Sequence, residues 1–382
     1  MPATSSSAAP IVVDDDLLQA AHAFFPELTA VETVPGHPNV VKITTPAGLR
    51  RVHRWPDSTP MADIAFSRKV MAIARSAGMA IVPELFAPPD ADPESALRLR
   101  NHVFDAQGWL PGFPPPRSEA MWPNPENRID IPVALPSSIF ASIVAAAASL
   151  HDVTVSLATK RDLPSAPLAM LPGAVRQAHG RHLAALRIRA RREPAIQRWL
   201  ATAERLMTNA EPVLHAAAET DDQPAVVLCL GLWPAHVLLD DDSVHGLLGW
   251  ERVATGSPLL DIAQATLRLQ GWSDEAVETA LAAYGDVRPL SPQVRRLLPA
   301  VAALDAVATT GRLLEQTFAV DETARPPSSL RSAIDMMLRS MTALDRNLIT
   351  QAAVGKSKRT PWRRGPLPNS ARKGVRPRER RR

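Results

Sequence analysis

The chain has 382 residues, 46% of them hydrophobic, and a single cysteine, Cys229. That length and apolar content suffice for two lobes around a sizeable core, while one cysteine excludes a disulfide framework and cysteine-based metal spacing and suits a reducing, cytoplasmic setting. The formal charge of +4 is unevenly spread: Lys356 to Arg382 holds twelve Lys or Arg and one acid, a net of +11, so the remainder carries −7 and the basic character belongs to the tail.

Residues 1–11 are small and polar, with neither a basic leader nor an apolar stretch, and we expect them to be disordered and to carry no export signal. Asp14, Asp15 and Asp16 open a helix that runs to about Phe25. Val31 to Val34, Val40 to Thr45 and Leu49 to Trp55 then read as an antiparallel meander, separated by PGHPN and PAG turns. Ala62 to Ala77 has helical spacing, Ala80 to Phe86 returns to strand, and Leu97 to Trp109 reads as one further strand. From Pro111 to Pro136 eight prolines exclude regular structure, which makes residues 110–136 a hinge and loop.

Beyond Ser137 helices dominate, over Ile139 to His151, Gly173 to Arg192, Ala195 to Glu219, Pro258 to Gln270, Asp274 to Tyr284, Pro292 to Phe318 and Ser329 to Thr350. The one stretch with the look of a membrane span, Ile131 to Leu150, is broken by Pro132 and Pro136 and is read as a core helix, so no transmembrane segment is expected. Only residues 225–263 interrupt the helices, as a strand-loop-strand-turn-strand ribbon. The expected fold is α+β, with a small sheet-rich lobe over 12–109, a mainly helical lobe over 137–351 and a disordered basic tail over 352–382.

Several segments fall in an order that resembles the aminoglycoside phosphotransferase and choline kinase-like family, which has a two-lobed protein-kinase-like fold. They are PGHPNVVKI from Pro35, RRVHRW from Arg50, GMAIVPELF from Gly78, HVFDAQGWLPG from His102, AAASLHDV from Ala146 and LLDIAQA from Leu259, together with the ribbon. The resemblance implies that Gly36 and Asn39 lie over a nucleotide and that Arg54 contacts its phosphates. Where the family places the polar groups of its catalytic loop, this chain has Leu230, Leu232 and His236. Gly249 stands where an aspartate precedes Trp-Glu, and Ser67 is nearest the glutamate that would pair with Arg54. Gly231, Trp250, Glu251 and Asp261 match the family and are mainly architectural there.

Phosphoryl transfer needs Mg²⁺ held by oxygen ligands and a carboxylate that orients the attacking hydroxyl. Leu232 has no acceptor, Gly249 no side-chain oxygen, and His236 a nitrogen. The expectation is a catalytically impaired family member, a pseudokinase without resident cofactor, that binds a small molecule, peptide or partner in a cleft floored by Leu230, Leu232 and Trp233. One alternative is an active kinase of aminoglycoside, choline-like or amino-alcohol substrates, using ATP and Mg²⁺ with Glu251 as a relocated metal ligand. The other is a scaffold whose tail, Lys356 to Arg382, contacts nucleic acid or another anionic surface non-specifically.

Overall fold

The computed structural model describes residues 13–34, 37–92, 95–115, 131–158, 165–218, 225–229, 231–241, 243–318 and 328–357. Gly36, Leu230 and the tail beyond Ser357 lie outside them, and so do the Lys356 side chain and residues 1–12.

The architecture is α+β, as expected. Helix α1 (Asp15–Phe24) begins at Asp14, whose carboxylate accepts from the Asp16 amide. Its buried residues Leu17, Ala20, Ala21 and Phe24 cover one face of the meander β1 (Ala30–Val34), β2 (His37–Thr45) and β3 (Gly48–Arg54), where Val41, Ile43 and Val52 point inward. Helix α2 (Met61–Ser76) follows, then β4 (Leu85–Phe86), β5 (Leu97–Leu99) and β6 (His102–Gly108). The antiparallel sheet runs β1-β2-β3-β6-β4, with β5 also on β6. Two expectations are corrected here. Leu97 to Trp109 is a hairpin, because Leu99 pairs with His102 and Arg100 takes a positive φ of 52° in the turn. Ala80 to Phe86 contributes only two strand residues.

Helix α2 belongs to the larger core: Phe66, Val70, Met71 and Ala74 pack with the helical lobe. That lobe comprises α3 (Ser137–Val153), α4 (Leu171–Leu186), α5 (Pro194–Ala218), α6 (Leu259–Leu269), α7 (Asp274–Val287), α8 (Pro292–Phe318) and α9 (Ser328–Ser357). Its central helix, α8, is packed by α4, α5, α6 and α9. Arg295–Phe318 within it is the described segment long and apolar enough to cross a membrane, and it is mostly buried inside the lobe. Ile131 to Leu150, expected to be a core helix, contributes the shorter apolar α3.

The ribbon is not one continuous sheet. Strand β8 (Val226–Leu228) pairs with β11 (Ala254–Gly256), which also takes β7 (Ser165–Ala166), whereas β9 (Val237–Asp240) and β10 (Ser243–Leu247) form a separate hairpin. The hinge docks onto that hairpin: Phe113 and Leu239 exchange backbone hydrogen bonds of 2.9 Å each.

Candidate functional site

Strand alternation decides which side chains of β3 meet the gap between the lobes. Val52 is fully buried beneath α1, so Arg51, His53 and Trp55 take the opposite face, toward the helical lobe. Arg54 shares the face of Val52. Its guanidinium donates to Asn39 Oδ1 at 3.2 and 2.7 Å and to Asp14 Oδ2 at 2.8 Å, which ties β2, β3 and the start of α1 together at the rim of the gap. The predicted Arg54 and Asn39 are therefore brought together as partners of each other, and both stand in the wall of a cavity in this gap. Arg51 donates to the buried Gln107 Oε1 at 2.9 Å. Burial pulls its pKa down to about 10, against the opposing pull of Glu251 and Asp105. Burial, and then the Arg51 charge, push His53 down to about 4.

From the helical lobe a short 3-10 turn, Pro234–His236, lifts His236 into the same gap. Its Nδ1 lies 2.7 Å from the Gly231 carbonyl oxygen, and since a carbonyl only accepts, Nδ1 carries the proton. Gly249 follows the β10 strand in the left-handed region, with φ at 81°. A Cβ placed there would lie 2.3 Å from His236 Nδ1 and 2.8 Å from Cε1, so the imidazole and any side chain at 249 exclude each other. A Cβ on Gly231 would in turn meet the Gly249 carbonyl oxygen at 2.9 Å. Glu251 sits in the next 3-10 turn, Trp250–Arg252. Burial works against its charge, but His236, its own backbone amide, His53 and Arg252 outweigh that and hold its carboxyl below the usual range.

Two overlapping cavities result, of about 290 and 120 Å³, which share His37, Val40, His53, Ala235, His236 and Glu251 in their walls. Helix α2 closes the back: Ser67 Oγ donates to the Trp250 carbonyl at 2.8 Å, and Arg68 makes a buried ion pair with Asp105 on β6. An apolar floor was expected. Leu232 and Trp233 instead turn into the helical lobe, the former into its core and the latter between the Arg268 and Arg312 guanidiniums at 4.1 and 4.6 Å. Imidazoles and a carboxylate face the cavity in their place.

Under the loop a fully buried network holds the backbone. His151 on α3 pairs through Nε2 with Asp261 Oδ2 at 3.1 Å and through Nδ1 with the Tyr284 hydroxyl at 2.9 Å. The same Asp261 oxygen accepts from the Cys229 amide at 2.7 Å. Burial raises the pKa values of both Tyr284 and the Cys229 thiol, so the phenol stays protonated and the thiol inert.

Residues 33–298 match the model of the phosphotransferase enzyme family, APH. The chain belongs to this family. Among solved structures it is similar to an aminoglycoside phosphotransferase from Alicyclobacillus acidocaldarius subsp. acidocaldarius DSM 446, at 15% identity and a TM-score of 0.58, covering 92% of this chain and 99% of that one. A microcompartment-associated aminopropanol kinase gives 15% and 0.55 over 88% and 98%, and an amicoumacin kinase solved with AMP-PNP and Ca²⁺ gives 11% and 0.54 over 88% and 94%. At such identities the likeness establishes the fold alone. No curated protein matches the sequence.

Phosphotransferases use a nucleotide with divalent cations, and the residues in this cleft do not fit such an ion. Mg²⁺ demands several hard oxygen ligands. Position 249 has no side chain and no room for one, His236 offers nitrogen, and Glu251 is balanced by imidazoles and arginines. Among the described residues no three His, Cys, Asp or Glu side chains are grouped to hold a metal. Arg51, His53, Gln107 and His37 are the cleft residues that sequence reasoning missed. The alternation of RRVHRW about an inward Val52 was the signal available for the first two.

Proposed function

We propose that this phosphotransferase-family protein does not transfer phosphate and that its cleft serves to bind a small molecule, peptide or partner. The observation that carries this reading is the imidazole of His236, hydrogen-bonded to Gly231 and packed where any side chain on Gly249 would stand. Without an oxygen ligand there, the charge neutralisation on which phosphoryl transfer depends is missing. Purified full-length protein, incubated with ATP and Mg²⁺ and with aminoglycoside, choline or amino-alcohol acceptors, should release no ADP above the rate without protein. Calorimetry should show no Mg²⁺-dependent nucleotide binding. Metal-dependent turnover that disappears in Glu251→Ala would replace this reading with that of an active kinase using Glu251 as a relocated ligand.

The tail has a separate role in this proposal. Twelve cations between Lys356 and Arg382 would hold an anionic polymer or surface through counterion release. Retention on immobilised nucleic acid should fall steeply with salt and vanish when the tail is deleted. Full retention by the truncated chain would refute the role.

A further inference from the structure

A cavity of about 730 Å³ opens away from the cleft, between the exposed side of α2, the segment Pro83–Leu85 and Leu157. Its volume is that of a small-molecule site, well above either cleft cavity. Helix α2 supplies Phe66 and Met71, both buried, and the exposed Ala65 and Ala72, whose small side chains leave the groove open. Pro83, Leu85 and Leu157 form the facing wall, so the interior is predominantly apolar.

The charges at its edge have one dominant sign. Arg68 at the base is neutralised by Asp105, which leaves Lys69 and Arg75 against the single carboxylate of Glu84. Arg75 donates to the carbonyls of Ala80 and Val82 at 3.0 and 3.3 Å and is thereby fixed at the rim. Lys69 is exposed and has no partner among the described residues. An apolar trough with cations at its mouth complements a ligand that is apolar along its body and negative at one end. Burial of the body would supply affinity, and the head group would fix its orientation.

We propose that this groove binds an amphipathic monoanion, an alkyl or aryl carboxylate or sulfonate, with its apolar body between α2 and Leu157 and its head group at Lys69 and Arg75. The site shares no lining residue with the cleft, so it stands independently of whether the cleft transfers phosphate. Its occupant would nevertheless pack on the helix that carries Ser67 and Arg68.

Full-length protein titrated with 1-anilinonaphthalene-8-sulfonate should show saturable one-site fluorescence that dodecanoate displaces. Ala72→Trp, which fills the groove from an exposed position, should abolish that binding. Lys69→Glu, a surface change that keeps the fold, should weaken it about tenfold, as removing one head-group contact and adding a repulsive one would do. Absence of saturable binding would overturn the proposal. So would binding unchanged by both substitutions, which would put the probe elsewhere, for instance among the cleft cations. Displacement by dodecyltrimethylammonium as effective as by dodecanoate would overturn the assignment of an anion.

Discussion

The loop around His236 and the network beneath it are neighbours, with a single residue of chain between Cys229 and Gly231, yet they are built on opposite lines. In the network every polar group answers another: the Asp261 carboxylate takes both the His151 ring and the Cys229 amide, and the Tyr284 hydroxyl completes the imidazole. In the loop an imidazole is wedged against two glycines, Gly231 and Gly249, neither of which has space for a carboxylate. The first set holds the backbone in place, and the second decides what the backbone presents to the gap between the lobes. Frame and chemistry thus rest on different residues, so a family member can keep one while the other changes.

Cutting the frame has the largest expected effect. Asp261→Ala leaves the Cys229 amide and a ring N–H of His151 buried without an acceptor, which costs roughly 2–6 kcal/mol for two such donors. Urea denaturation would read this as a lower midpoint, and Asp261→Asn, which keeps an oxygen, should lose less. Equal losses in the two variants would mean that the carboxylate does not hold the loop.

The fit of His236 to Gly249 gives the next largest effect. Gly249→Ala puts a Cβ into the imidazole and a side chain in the left-handed region, together worth about 2–4 kcal/mol. In a His236→Ala background the clash is gone, and the same substitution should cost only about 1–2 kcal/mol, the backbone term. A double-mutant cycle measures the difference as a coupling energy. Additive losses would show that ring and glycine are not fitted to each other.

Much of the frame could be read from sequence because it rests on local signals. The three aspartates at the start of α1, the turns of the meander and the helical spacing of α2 and α3 are all carried within short windows. A sheet-rich first third followed by a helical remainder then predicted two lobes of different class. The cleft was less legible, for two reasons. Facing residues such as Arg51 and Gln107 come from strands separated in sequence by α2, β4 and β5, so their contact has no local signature. The direction of a loop side chain is also not encoded by spacing: sequence order alone puts Leu232 and Trp233 on the cleft floor, whereas tertiary packing turns them into the helical lobe. The phosphate contact of Arg54 rests on the family resemblance alone; in the structure the residue is held by Asn39 and Asp14 and stands in the wall of the larger cleft cavity.

His53 offers the smallest effect and the finest test, because it belongs to neither the frame nor the loop. Its folded pKa of about 4 lies below the ordinary 6.5, so between those values the unfolded chain takes up a proton that the folded chain refuses. Stability is therefore unaffected above 6.5 and falls as the pH drops from 6.5 toward 4. Glu251 acts in the same direction but lower: its carboxyl sits below the usual 4.5, so the stability it contributes is present above that value and is lost on further acidification. The groups facing His53 are Arg51 from its own strand and Glu251 from the other lobe, and the two oppose each other at the ring. Because His53 is only partly buried by surface exposure, the acid loss assignable to it is about 1–2 kcal/mol, less than its full shift would give. Denaturation midpoints at pH 7.5 and 5 should converge in His53→Gln relative to the unmodified chain. Parallel curves would mean that the ring is already protonated in the fold, and that Glu251 rather than Arg51 sets its charge.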